Sequence, residues 1–235
     1  MQSDAAQLTL QDQLLTWFEK NKRQLLIGAV VIALIGAGAG IYIWHQNEVQ
    51  ADASEALSKF LNMDNAGGAQ PGATAGLLKV AADYPGSDAA KRAVLLAAGD
   101  YFAQGSYKDA QAQFEKFLRD YRESSFADEA LLGVAACKDA QGNTDEAIAA
   151  YKDIVERHSG DSVAPQARFA LGRLYESQHK PEMARDLYMQ VAQADPNGTM
   201  GSEAGMRLAE LYSKNPGLVP GKSVTASPAM SPRKP

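Results

Sequence analysis

An interval of 37 residues runs through most of this chain, and it constrains the fold more than any other feature. Offset by that interval, alanines coincide at Ala56, Ala93, Ala130, Ala167 and Ala204, and again at Ala73, Ala110, Ala147 and Ala184. Four residues after the second set comes a column of large side chains: Leu77, Phe114, Tyr151 and Tyr188. The joints repeat as well, since Asp83-Tyr84 matches Asp120-Tyr121, Ser87 matches Ser124, and Gly105 matches Gly142. A fixed period of this size means one supersecondary unit used several times, each copy burying its apolar face against the next.

Each unit reads as two helices. In the third, Ala167, Leu171, Gly172 and Tyr175 follow the spacing of one helical face. A polar break at His179-Lys180 and a proline at Pro181 open a second helix, because proline is tolerated in a first turn. Ala184 and Tyr188 mark that helix's inner face, and the run from Asp195 through Pro196 and Asn197 to Gly198 ends it. Small residues let two axes approach closely, and a ring fills the space beside them. The arrangement of Leu171, Gly172, Tyr175, Ala184, Tyr188 and Pro196 resembles the tetratricopeptide repeat, with Arg168 standing where that repeat usually has tryptophan. The common form has 34 residues. The three extra residues fall in joints such as Tyr84-Pro85-Gly86-Ser87.

The expected architecture is therefore all-α, a tetratricopeptide-like solenoid of antiparallel helix pairs over residues 49–214. Within it we read a degenerate opening repeat at 49–84, split by a loop at 64–72. Full repeats follow at 88–124, 125–161 and 162–198, and a lone capping helix at 201–214. Residues 215–235 hold Pro216, Pro220, Pro228 and Pro232 and three positive charges without an acid, a composition that cannot build a core, so a disordered tail is expected there.

Before the solenoid, residues 25–44 run for twenty positions without a charge. At 1.5 Å per residue such a helix spans about 30 Å, the thickness of a bilayer's hydrocarbon core. Tyr42 and Trp44 close it with the rings favoured at a membrane interface. Lys20, Lys22 and Arg23 precede it, whereas no Lys or Arg follows until Lys59. The positive-inside rule then puts residues 1–24 in the cytoplasm and everything after residue 44 outside. A cleaved signal peptide would have a shorter apolar region and a nearer cleavage site than Ala51-Asp52-Ala53. Gly36 and Gly40 form a G-x-x-x-G pair that suits contact with another membrane helix, although glycine is also common in membrane helices generally. Leu8, Leu14, Leu15, Trp17 and Phe18 are compatible with an amphipathic helix at the inner interface or with a tail lacking structure.

Chemistry-bearing constellations are few. The net charge of −5 argues against a nucleic-acid partner. The run from Gly217 to Ser223 ends in G-K-S but lacks the four-residue spacing and preceding strand of a phosphate loop. His45, His158 and His179 sit in separate units without a partner at ligand spacing and read as surface residues. The single Cys137 can close no intrachain disulfide and reads as a small buried side chain. Nothing assembles a nucleophile, base and oxyanion hole, so no enzyme, cofactor or metal site is expected. What remains is the groove lined by first helices, which would present Arg92, Phe102, Glu129, Asp139, Gln166, Phe169, Arg173 and Glu176 to a protein partner.

With Trp17-Phe18 and Asn21 ahead of a glycine-bearing membrane helix and tetratricopeptide-like hairpins beyond, the chain resembles the YfgM family. That resemblance implies a bacterial inner-membrane protein with a periplasmic repeat domain. It further implies an ancillary subunit of the Sec translocon, touching the membrane channel and a membrane-tethered chaperone or isomerase. The repeats are also similar to those of the CpoB type, which implies a scaffold for envelope assembly or cell division.

Overall fold

The computed structural model describes residues 3–67, 72–158, 160 and 162–220, with the side chains of 3–16, 18, 19 and 63–67 left aside. The expectations for the tail beyond Pro220 and for most of the apolar side chains between Leu8 and Phe18 lie outside the described residues. The chain divides into two units, Met1–Glu55 and Ala56–Pro235.

The first unit is helical from Ser3, within α1 (Ser3–Gly67). The stretch from Lys20 carries a window of mean hydropathy 2.4, none of it buried, and is long and apolar enough to cross a membrane. Ile32, Leu34, Ile35, Ile41 and Ile43 are all exposed, as are Tyr42 and Trp44. A row of bare aliphatic side chains costs about 1.5–3 kcal/mol each in water relative to burial, so this surface calls for an apolar environment. At Gly36 and Gly40 an added Cβ would meet nothing within 4 Å.

In the second unit the helices are α2 (Ala73–Asp83), α3 (Asp88–Ala103), α4 (Tyr107–Asp120), α5 (Ala127–Ala140), α6 (Thr144–Arg157), α7 (Ala164–Ser177), α8 (Pro181–Ala194) and α9 (Thr199–Lys214). No strand occurs among the described residues. Each helix from α2 onward packs on the next, and the first helices α3 and α5, and α7 and α9, also touch across the stack. This is the all-α repeat of antiparallel helix pairs that the 37-residue interval implies.

The repeating columns are the core. Ala93, Ala130, Ala167 and Ala204 are fully buried, as are Ala110, Ala147 and Ala184. Leu77, Phe114, Tyr151 and Tyr188 are buried beside them. A further column, Val80, Phe117, Ile154 and Val191, is buried at the same interval one turn along the second helices. A Cβ on Gly172 would stand 2.7 Å from the Tyr188 ring, and one on Gly133 would stand 2.5 Å from the Phe114 ring. The Phe60 ring likewise lies directly over Gly76.

The joints explain the other shared positions. Ser87 is buried, accepts from the Ala90 N–H at 3.0 Å and donates to the Tyr84 carbonyl at 2.9 Å, so it caps α3 and ties it to the preceding helix. Gly105 and Gly142 turn the chain between paired helices at φ 79° and 77°. At the same place in the third repeat stands His179, held at φ 57°, a conformation that carries strain for a residue with a Cβ.

Two local features differ from the sequence reading. The helix that enters the opening repeat continues to Gly67, past the start of the loop placed at 64–72. No helix breaker occurs before Gly67-Gly68, which accounts for the delay. The segment after α9 begins with a 3-10 turn, Pro216–Leu218, and Leu218 packs against the core of the last repeats.

Two glycine substitutions separate packing from propensity. Gly99→Ala enters open space and should raise stability by about 0.5–1 kcal/mol through helix propensity. Gly133→Ala forces the Phe114 ring to move and should lower stability by about 1–2 kcal/mol despite the same propensity gain. Urea denaturation of both variants checks the pair, and equal shifts would disprove the interlock.

Candidate functional site

In a stack of this kind, each first helix turns one stripe of side chains toward the inner face. The eight residues expected there divide into two groups. Arg173 Nη2 lies 3.3 Å from Asp139 Oδ2, linking α7 to α5 across neighbouring repeats. Glu176 accepts from the Tyr188 hydroxyl at 3.1 Å, and Phe169 tilts against the same ring at 5.5 Å between centroids. Phe102 meets Tyr107 edge-on at 5.1 Å, and the Arg92 guanidinium stacks 5.4 Å from the Phe126 ring centre. Gln166 donates its side-chain amide to the Ser162 carbonyl at 2.7 Å, in the turn that leads into its own helix. Glu129 is exposed. Most of these residues are thus engaged within the stack, Arg173–Asp139 and Arg92–Phe126 between repeats and Glu176, Phe169 and Phe102 within a hairpin. Glu129, Arg92 and Arg173 are the members most open to solvent.

Three groups of residues escaped the sequence reading. Leu95, Leu132, Phe169 and Met206 stand 37 apart on α3, α5, α7 and α9, one per repeat. The first three are half-buried against the core clusters and Met206 is 66% exposed, so one apolar side chain recurs at the same place on each first helix. Extending the interval from Phe169 in both directions would have found it. The second group joins repeats at the tips of the hairpins. Gln104 Nε2 donates to Thr74 Oγ1 at 3.2 Å, and Gln141 Nε2 donates to Gln111 Oε1 at 2.7 Å. Gln104 and Gln141 are one interval apart, so this is a repeated inter-hairpin tie rather than an accident of surface contact. Asp100 strengthens the first rung by accepting from Thr74 at 2.6 Å. The third is a histidine–carboxylate contact. His158 Nδ1 sits 2.9 Å from Asp128 Oδ1, joining the end of α6 to the start of α5. The partner is remote in sequence, which hid it from a search by spacing.

At the last repeats, Glu176, His179, Pro181, Leu211, Lys214 and Asn215 line a cleft of about 410 Å³. Beneath the inner face, the titratable core is held neutral. Burial pushes the Cys137 thiol up to about 11, with Glu115 adding to the shift. Burial also raises Tyr151, helped by Asp139, and Tyr188, helped by Glu176. Among the described residues no group of His, Cys, Asp or Glu is placed to hold a metal ion. Chemically, the arrangement offers apolar contact with flanking charge, the combination that binds polypeptide.

The stacked hairpins and their inner stripe define a helical-repeat scaffold for protein interaction. The chain belongs to the tetratricopeptide repeat-like domain family, whose model matches residues 16–154, and a second tetratricopeptide repeat model matches 138–199. A tetratricopeptide repeat protein from Parabacteroides merdae superposes over 71% of this chain and 61% of its own, at 13% identity and a TM-score of 0.52. Kinesin light chain TPR-like repeats from Podosopora anserina superpose over 73% and 88%, at 16% identity and a TM-score of 0.52. The Yersinia enterocolitica type III secretion chaperone SycD, solved with a peptide of the translocator YopD, covers 52% and 88%, at 18% identity and a TM-score of 0.44. Identities this low establish the fold alone. No curated protein matches the chain significantly.

Alkaline pH should loosen this core. Cys137, Tyr151 and Tyr188 are neutral when protonated, and each holds its proton more tightly folded than unfolded. Their contribution is complete below the unfolded thiol value of 9.0 and is lost as pH rises toward the folded value of about 11. The urea midpoint should stay level to about pH 8.5 and then fall, and Cys137 should resist thiol reagents at pH 8 until denaturant is added. A double-mutant cycle on Asp139 and Arg173 should give a coupling of about 0.5 kcal/mol, since both side chains are partly exposed.

Proposed function

We propose that the protein is an interaction adaptor held at a bacterial inner membrane by residues 25–44 of α1, with its repeats in the periplasm. The observation that carries the reading is the combination of one wholly exposed apolar helix with a stack of hairpins built for binding. Water is a poor solvent for the first, and lipid resolves the conflict. The cations Lys20, Lys22 and Arg23 support an N-terminus on the cytoplasmic side. The inner stripe, with Glu129, Asp139, Gln166, Phe169, Arg173 and Glu176 beside Arg92 and Phe102, serves as the protein-binding groove. Gly36 and Gly40 offer the membrane helix a close-packing face. Tethering raises the effective concentration of the groove near membrane complexes, so modest affinity suffices. The partners that fit are translocon subunits and a membrane-tethered chaperone or isomerase, which handle polypeptides emerging beside the anchor.

Protease added to spheroplasts should digest residues beyond 44 and leave the first 24 protected. A photo-crosslinker at Glu129 should capture translocon or chaperone subunits. A protected repeat domain, or a mature chain beginning near residue 54, would overturn the membrane-adaptor reading.

A further inference from the structure

We propose that α9 carries a docking site of its own, an exposed seat for an aromatic ring, and that an amphipathic helix of a partner protein fills it to complete a fourth hairpin. The third hairpin defines the seat. There the buried Tyr188 ring of α8 stands over three residues of α7. It tilts against Phe169 at 5.5 Å between centroids, lies where a Cβ on Gly172 would be 2.7 Å away, and donates its hydroxyl to Glu176 at 3.1 Å. The two preceding hairpins repeat the arrangement. Leu132 and Ala135 share a core cluster with Tyr151, and Leu95, Ala98 and Phe102 share another with Phe114.

One interval beyond Phe169, Gly172 and Glu176 stand Met206, Ala209 and Ser213 on α9. All three are exposed, Met206 at 66%. Ala98 and Ala135 hold the place of Ala209 on α3 and α5, and both are fully buried. Thus α9 is seated on the stack through Ala204 and Leu211, yet exposed on the face that α7 turns to α8. The chain keeps the pattern only to the first position of a further second helix. Leu218 falls one interval after Pro181, where α8 begins, and packs on the core. The columns of Ala184, Tyr188 and Val191 next fall on Gly221, Thr225 and Pro228, so the sequence offers no ring at the ring's place.

The occupant's chemistry is written three times in this chain. Each second helix buries a small residue, a ring four positions on, and an apolar side chain three beyond that. The sets are Ala110, Phe114 and Phe117; Ala147, Tyr151 and Ile154; and Ala184, Tyr188 and Val191. A helix in that register meets on α9 the spacing it meets on α7, because the repeats share one interval. Met206 adds an adaptable thioether beside the ring. A second copy of the chain would supply such a helix only by opening one of its own hairpins and losing the interlock there, so the fitting occupant is a different protein. The proposal rests on the adaptor reading only in requiring a protein partner; it needs neither the groove nor its charges.

The experiment uses the full chain in nanodiscs and, as probe, a fluorescein-labelled synthetic peptide of residues 180–195, which copies α8. Binding should be saturable, and Tyr188→Ala in the peptide should weaken it by about tenfold or more, the loss expected for one buried ring. Met206→Lys and Ala209→Lys in the chain, both at exposed positions, should each weaken it about tenfold and leave the urea midpoint unchanged. No binding, or equal binding to the Ala209→Lys chain, which would mean displacement of α8, overturns the proposal. In cells, a photo-crosslinker at Met206 should join another protein at a segment carrying the small, ring, apolar register, mapped by mass spectrometry. Links to residues 221–235 or to a second copy overturn it. Capture at Glu129 without capture at Met206 also overturns it and leaves the adaptor reading standing; capture at neither overturns both.

Discussion

The structure depends on a contact between a ring and the space left by a missing side chain. Gly172 faces Tyr188, Gly133 faces Phe114, and Gly76 lies under Phe60. Each pair lets two helix axes close to a distance that a Cβ would forbid, and the ring recovers the apolar area that the small residue forgoes. Gly172–Tyr188 closes the two helices of one hairpin, whereas Gly133–Phe114 seats α5 on the second helix of the repeat before it, so the same kind of contact serves both within and between units. Alanine columns at Ala130, Ala167 and Ala204 carry the same closeness from one hairpin to the next.

Polar ties sit where the apolar columns end. Ser87, the Gln104 and Gln141 rungs, and the His158–Asp128 pair all lie near hairpin tips or joints, where backbone groups lose their helical partners. They add modest energy individually, but they fix the angle between repeats. The inner stripe inherits that angle. Asp139 and Arg173 join repeats, while Glu176 and Phe169 hold their own hairpin together through Tyr188. A substitution among them alters packing together with surface charge.

The two units present different surfaces. The repeats bury small and aromatic residues against one another. The apolar helix leaves its most hydropathic window unburied and is long and apolar enough to cross a membrane.

Read alone, the sequence determined the helical class, the 37-residue unit, the pairing of small with large columns, and the twenty-residue apolar stretch. All of these are periodic or composed of contiguous residues, so spacing exposes them. Ala110, Ala147 and Ala184 could be assigned to the core because three copies repeat one another. Only the tertiary structure decided which inner residues are spent on packing. The Arg173–Asp139 pair joins residues that are remote in sequence, as do the His158–Asp128 pair and the two glutamine rungs. The partners in these contacts are chosen by the angle between stacked hairpins, although the glutamine rungs also recur at the 37-residue interval. The stack also decides that Met206 stands exposed at the place where Leu95, Leu132 and Phe169 are half-buried.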